Sequence, residues 1–165
     1  MHRLVISALR FGIALTVLLG LFGQIVVVPT TAADEVELFP PYEPYALPYA
    51  AAAIAGIACV QVACAAVWML LGMVERDAIF TAAAFRWVDL VIGAAGAATL
   101  VALAASAHLT FATIPSPDDG MDVESALLGA LACVAAGAAF CLLMVVMRSL
   151  LGKATGMRAE LSAVV

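Results

Sequence analysis

Long uncharged stretches alternate with short charged ones along this chain. Residues 11–33, 44–74, 90–117 and 125–147 carry no Asp, Glu, Lys or Arg, which gives runs of 23, 31, 28 and 23 residues. A helix needs about 20 apolar residues to cross a hydrocarbon core about 30 Å thick. The pattern therefore predicts four transmembrane helices, over about 11–28, 49–73, 88–109 and 126–147. Between them it predicts loops at 29–48 and 110–125, a connector at 74–87 and a tail at 148–165. The expected fold is an all-α membrane protein, four helices in an antiparallel bundle, over the single domain 1–165.

Composition agrees with a membrane domain. Hydrophobic residues make up 66% of the chain, charged residues 12%, and the mean hydropathy is +1.15. Soluble domains are nearer about 25% charged.

Charge adds an orientation. All seven basic residues (Arg3, Arg10, Arg76, Arg86, Arg148, Lys153, Arg158) fall in the N-terminal tail, the connector or the C-terminal tail. The loops at 29–48 and 110–125 hold Asp34, Glu35, Glu37, Glu43, Asp118, Asp119, Asp122 and Glu124, with no basic residue. Short loops rich in Lys and Arg stay on the cytoplasmic side. Both termini and the connector are therefore expected on the cytoplasmic side, with the acidic loops outside. The thin positive charge suits anionic lipid headgroups and argues against direct nucleic-acid binding.

Within this frame each segment carries a local expectation. Pro29 is expected to close the first span, because proline cannot continue the hydrogen-bond ladder. Arg3, Arg10 and Thr31-Ala32-Ala33 leave a cleaved signal peptide as the rival reading of that span. Its uncharged run exceeds the usual 7–15 residues of a signal peptide, so a retained span is expected. The run Phe39-Pro40-Pro41-Tyr42-Glu43-Pro44-Tyr45 predicts an extended polyproline path with its rings on one side. An aromatic anchor at the interface is its expected role, and a ligand-binding lip the alternative. Thr81 and Asp122 are expected N-caps, and Ile79, Phe80, Phe85 and Trp87 suit an interface. After Arg148, the residues Leu150, Leu151, Ala154, Met157 and Leu161 share one helical arc flanked by Lys153 and Arg158. This predicts a short interfacial helix, with Leu151, Lys153, Arg158 and Leu161 as candidate docking residues.

Candidate chemistry is sparse. Ala55 and Cys59 belong to a stripe of small residues at four-residue spacing, as do Gly129, Cys133 and Gly137; Gly93 adds a further small position. Such stripes let helix backbones approach in lipid, within one chain or between copies. The cysteines form no CxxC pair and are expected to be inert packing residues. Gln24 and Gln61 are amides within spans and must find partners there. Asp89 is the one acid near a span, and Arg86, three residues back, is its expected partner. His108 is expected to be an interfacial polar residue. Asp118-Asp119-Gly120-Met121-Asp122-Val123-Glu124 lacks the ligand spacing of a calcium loop. No metal, cofactor or catalytic constellation is expected.

Four stretches together resemble a known family. They are Gln24 followed by Pro29; Cys59-Val60-Gln61-Val62-Ala63; Arg76-Asp77-Ala78-Ile79-Phe80-Thr81 with Phe85-Arg86-Trp87-Val88-Asp89; and Met147-Arg148-Ser149-Leu150-Leu151 with Arg158-Ala159-Glu160-Leu161. The chain resembles the bacterial integral-membrane domain-of-unknown-function family 2975. The resemblance implies four spans, no assigned activity and a regulatory pairing with a small helix-turn-helix protein. It carries over no catalytic residue. The chain departs from relatives at Leu161-Ser162-Ala163-Val164-Val165, where an acidic pair often precedes the final valines. The expected function is a non-enzymatic regulatory or partner-binding membrane component. A small oligomeric transporter or channel subunit is the alternative, and would need an essential charge in mid-membrane.

Overall fold

The computed structural model describes residues 2–75, 82–117 and 121–163, with side chains over 4–75, 83–117 and 122–156. The expected cap Thr81, the interfacial Ile79 and Phe80, residues 118–120 of the acidic loop, and the side chains of Arg158 and Leu161 lie outside it. Four helical stretches are long and apolar enough to cross a membrane: Leu4–Leu38, Pro40–Glu75, Ala83–Phe111 and Asp122–Gly156.

The first rod does not stop at Pro29. Helix α1 (His2–Phe22) passes through a π-helical turn, Gly23–Val27, into α2 (Val28–Leu38). A proline inside a helix lacks one N–H and crowds the carbonyl four residues back. Here the ladder widens immediately before it, with the Val28 N–H reaching Gly23 O. The Thr30 hydroxyl then donates to Val26 O at 2.7 Å and Val27 O at 3.1 Å. Side chains and π turns of this kind re-satisfy backbone groups freed by proline. α2 carries Asp34, Glu35 and Glu37 and so extends the rod with a polar segment.

The extended polyproline path is also corrected. Pro40–Tyr42 is a 3₁₀ turn, and α3 (Glu43–Glu75) starts directly after it. Prolines are tolerated in a first helical turn, where N–H groups have no intrahelical partner. Pro44 occupies such a place, and Pro48 sits one turn further in, near the helix end. Helix α4 spans Ala82–Phe111, and α5 spans Met121–Ala163. Asp122 is not an N-cap: it lies within the first turn of α5 beside Glu124, where carboxylates complement the helix dipole. The segment after Arg148 is the unbroken continuation of α5. Gly152 and Gly156 cost about 1 kcal/mol each relative to Ala and do not end it.

Paired residues show how the helices run. Arg10 meets Glu75, Gln24 meets Gln61, Tyr49 meets His108, and Asp89 meets Arg148. As numbers rise on one helix they fall on its neighbour, so successive helices are antiparallel. The basic residues Arg10 and Arg148 lie toward one end and Glu35 and Asp122 toward the other. α1 and α2 pack on α3, α3 on α4, and α4 on α5. Among the described residues the backbones of α1 and α5 do not come into contact, so the bundle is left open between its first and last rods.

The core sits in the middle of that bundle. Ala84, Val88, Val91 and Ala94 are buried along one face of α4, with Ala66 and Leu71 from α3 and Ile6 from α1. The outer rods keep large apolar side chains exposed, among them Leu18, Ile25, Leu128 and Leu142. In lipid this is no liability, because acyl chains are as apolar as leucine.

Candidate functional site

Polar groups in the spans are joined across helices. The Gln61 side-chain amide donates to Gln24 Oε1 at 3.1 Å, and the Gln24 amide donates to Ile54 O at 3.1 Å. Gly20, one turn before Gln24, makes room: a Cβ there would stand 3.0 Å from Gln61 Nε2 and 3.2 Å from Ile57 Cγ2. Interhelical hydrogen bonds in membranes average about 0.6 kcal/mol and reach about 1.7. The coupling between Gln24→Leu and Gln61→Leu should therefore fall in that range in a double-mutant cycle read by unfolding in SDS. Zero coupling would mean that the pair is not made in lipid.

The ion pairs lie toward the basic end. Arg10 donates to Glu75 at 2.8 Å and stacks 5.5 Å over Trp68. Asp89 pairs with Arg148 of α5 through two contacts, one of 3.0 Å from Nη2. The expected Arg86 partner is thereby replaced. Arg86 shares a helix with Asp89, whereas Arg148 reaches it from the packed neighbour.

The acidic end holds a cavity of about 580 Å³. Its polar lining comes from Thr31 and Glu35 of α2, all three tyrosines (Tyr42, Tyr45, Tyr49), and Asp122 and Ser125 of α5. Val28, Ala46, Ala50, Ala53 and Val123 supply apolar wall. The tyrosines are held from behind. Tyr49 Oη lies 2.7 Å from His108 Nδ1, and the His108 ring sits 5.7 Å from Tyr49 and 6.1 Å from Tyr45. Phe39 packs edge-on to Tyr42 at 4.9 Å. The Tyr42 hydroxyl is buried with no hydrogen-bond partner among the described residues. A second hollow, about 360 Å³ and almost wholly apolar, lies deeper among the spans. Ile13, Cys59, Cys64, Val91, Gly137 and Phe140 line it, so all four rods contribute.

The small-residue stripes divide. A Cβ on Gly137 would collide with Thr99 Oγ1 and approach Thr99 Cβ to 3.2 Å, so α4 and α5 touch there. Cβ atoms on Gly93 and Gly129 would meet nothing within 4 Å. Ala55 and Cys133 are exposed, and Cys59 faces the apolar hollow. Gly129 and Cys133 look outward because α5 has α4 as its one neighbour among the described residues, whereas Ala55 and Gly93 lie on the free faces of the two central helices. At the other end Leu151 is half-buried and Lys153 exposed.

Nothing in the local pattern singles out Glu35 or Tyr49, and Asp122 has the sequence context of a cap. Only Gly20 left a local trace, standing four residues before Gln24 on the same helix face. Among the described residues no group of three or more His, Cys, Asp and Glu side chains could hold a metal ion. The arrangement offers hydrogen bonding, negative charge and aromatic faces to a ligand.

Four helices of this length and apolarity define a multi-pass membrane protein. Residues 30–165 match the family described as "Protein of unknown function (DUF2975)", and the chain belongs to that family. No curated protein and no solved structure matches it.

Proposed function

We propose that the protein is a non-enzymatic regulatory component of the bacterial cytoplasmic membrane, with both termini inside and a partner-binding surface on the C-terminal tail. The observation that carries this reading is the unbroken course of α5 from Met121 to Ala163. At about 1.5 Å per residue such a rod is roughly 65 Å long, about twice the hydrocarbon thickness. Its last turns stand beyond the Asp89–Arg148 pair and carry Lys153 and Arg158 beside the apolar arc. A tail serving only as a topology signal needs positive charge and no such arc. A docking tail needs both, since the apolar face supplies area and the charges set orientation. The sorting of basic and acidic residues supports the orientation. The family resemblance supports a small helix-turn-helix regulator as the partner.

The test is protease access to the tail in sealed inverted vesicles, with and without cytosolic extract. Wild-type tail should be cut more slowly when extract is present. Leu151→Asp should insert normally yet be cut at the unprotected rate. Equal cutting of both proteins in both conditions would remove the docking role, and a tail cut only in right-side-out vesicles would reverse the orientation.

A further inference from the structure

We infer that the cavity at the acidic end is a binding site for a primary ammonium group carried on an apolar body. The inference is independent of tail docking. Three observations converge on it. Glu35 and Asp122 bring two carboxylates to one cavity from α2 and α5, rods on opposite sides of α3 and α4. No basic residue lines the cavity among the described residues, so a cation from outside would balance that charge. Tyr42, Tyr45 and Tyr49 line the same space; aromatic faces within about 6 Å attract cations, and ammonium ligands are commonly held this way.

The two carboxylates narrow the chemistry. A primary ammonium offers three N–H donors, enough for both carboxylates together. A quaternary ammonium offers none. A small divalent metal fits less well, because hard cations take about six or more oxygen ligands and much of this wall is Val and Ala. The volume of about 580 Å³ falls within the roughly 300–1,000 Å³ of small-molecule sites. It leaves room for an apolar body as well as the headgroup. A free amine and an ethanolamine lipid headgroup share this chemistry.

The experiment uses the full chain in detergent, titrated calorimetrically with 2-phenylethylammonium, its trimethylammonium analogue and neutral 2-phenylethanol. Binding of the primary amine should be saturable. It should weaken roughly tenfold or more in Glu35→Gln and in Asp122→Asn, the scale of a hydrogen bond to a charged group. Glu43→Gln removes a charge at the same end but outside the lining, and should change nothing. Glu35→Gln should also narrow the preference for the primary over the trimethylated amine, since it removes one of the two acceptors of its N–H groups. In parallel, native mass spectrometry should show phosphatidylethanolamine retained over phosphatidylglycerol, with that preference lost in Glu35→Gln. If the lipid is selected and the free amine is not, the headgroup is the source and the inference stands. It is overturned if neither binds, if 2-phenylethanol binds as tightly as the amine, or if Glu43→Gln weakens binding as much as Glu35→Gln.

Discussion

Gly137→Leu should separate α4 from α5 and lower the thermal stability of the protein in detergent. The backbone of α5 passes so close to Thr99 that even a Cβ at position 137 collides with it. Thr99 has little freedom to withdraw, since its hydroxyl is tied to Ala95 O at 2.8 Å. Overpacking of this kind costs about 1–3 kcal/mol, and the larger figure is expected because both obstacles are close to the backbone. Gly129→Leu serves as the control. It lies on the same helix, two turns away, where a Cβ meets nothing within 4 Å. It should melt like the wild type, and equal melting of all three proteins would show that the α4–α5 contact is not made.

The other large effect is expected at Asp89 and Arg148. The pair is half-exposed at the basic end of the spans, so removing either charge leaves the other without its partner at the edge of the apolar segments, where lone ionic groups are disfavoured. Asp89→Leu and Arg148→Leu should each lower the yield of folded protein in membranes. The double change to Leu should recover much of the loss, since a pair of apolar groups replaces a pair of charges without leaving one orphaned. Exchanging the two, Asp89→Arg with Arg148→Asp, should also recover part of it. Additive losses in the double variant would contradict the pairing.

How much of this was legible depends on the range of the interaction. The spans follow from the absence of charge, a property of each segment alone, so all four helices were readable. Their ends were not. Pro29 is a helix breaker by local rules, yet Thr30 and a π turn supplied what it removes. Gln24 and Gln61 could be marked because an amide in hydrocarbon has few alternatives to a neighbouring polar group. Asp89 was marked too, but the nearest arginine in sequence was assigned to it; its partner stands 59 positions away. The stripe through Gly129, Cys133 and Gly137 identified small residues without revealing which neighbour, or how many, the helix would have. The cavity was invisible for a similar reason. Glu35 and Asp122 read singly are ordinary loop acids, and they become a pair only when α2 and α5 flank the same two helices.

The dry hollow among Ile13, Val91 and Phe140 has a consequence for what stability means in this protein. Its lining is too apolar to hold water well, since enclosed water needs two to four polar partners. The gap between α1 and α5 leaves it within reach of the surrounding amphiphile, whose tails fit it far better than water does. An agent that occupies the folded form and not the unfolded one raises stability by mass action. A hydrocarbon tail seated there would count as a component of the fold as well as its medium. Melting temperatures of one and the same sequence should then rank by the length and branching of the tail supplied, and a value obtained in one detergent belongs to that pairing of chain and amphiphile.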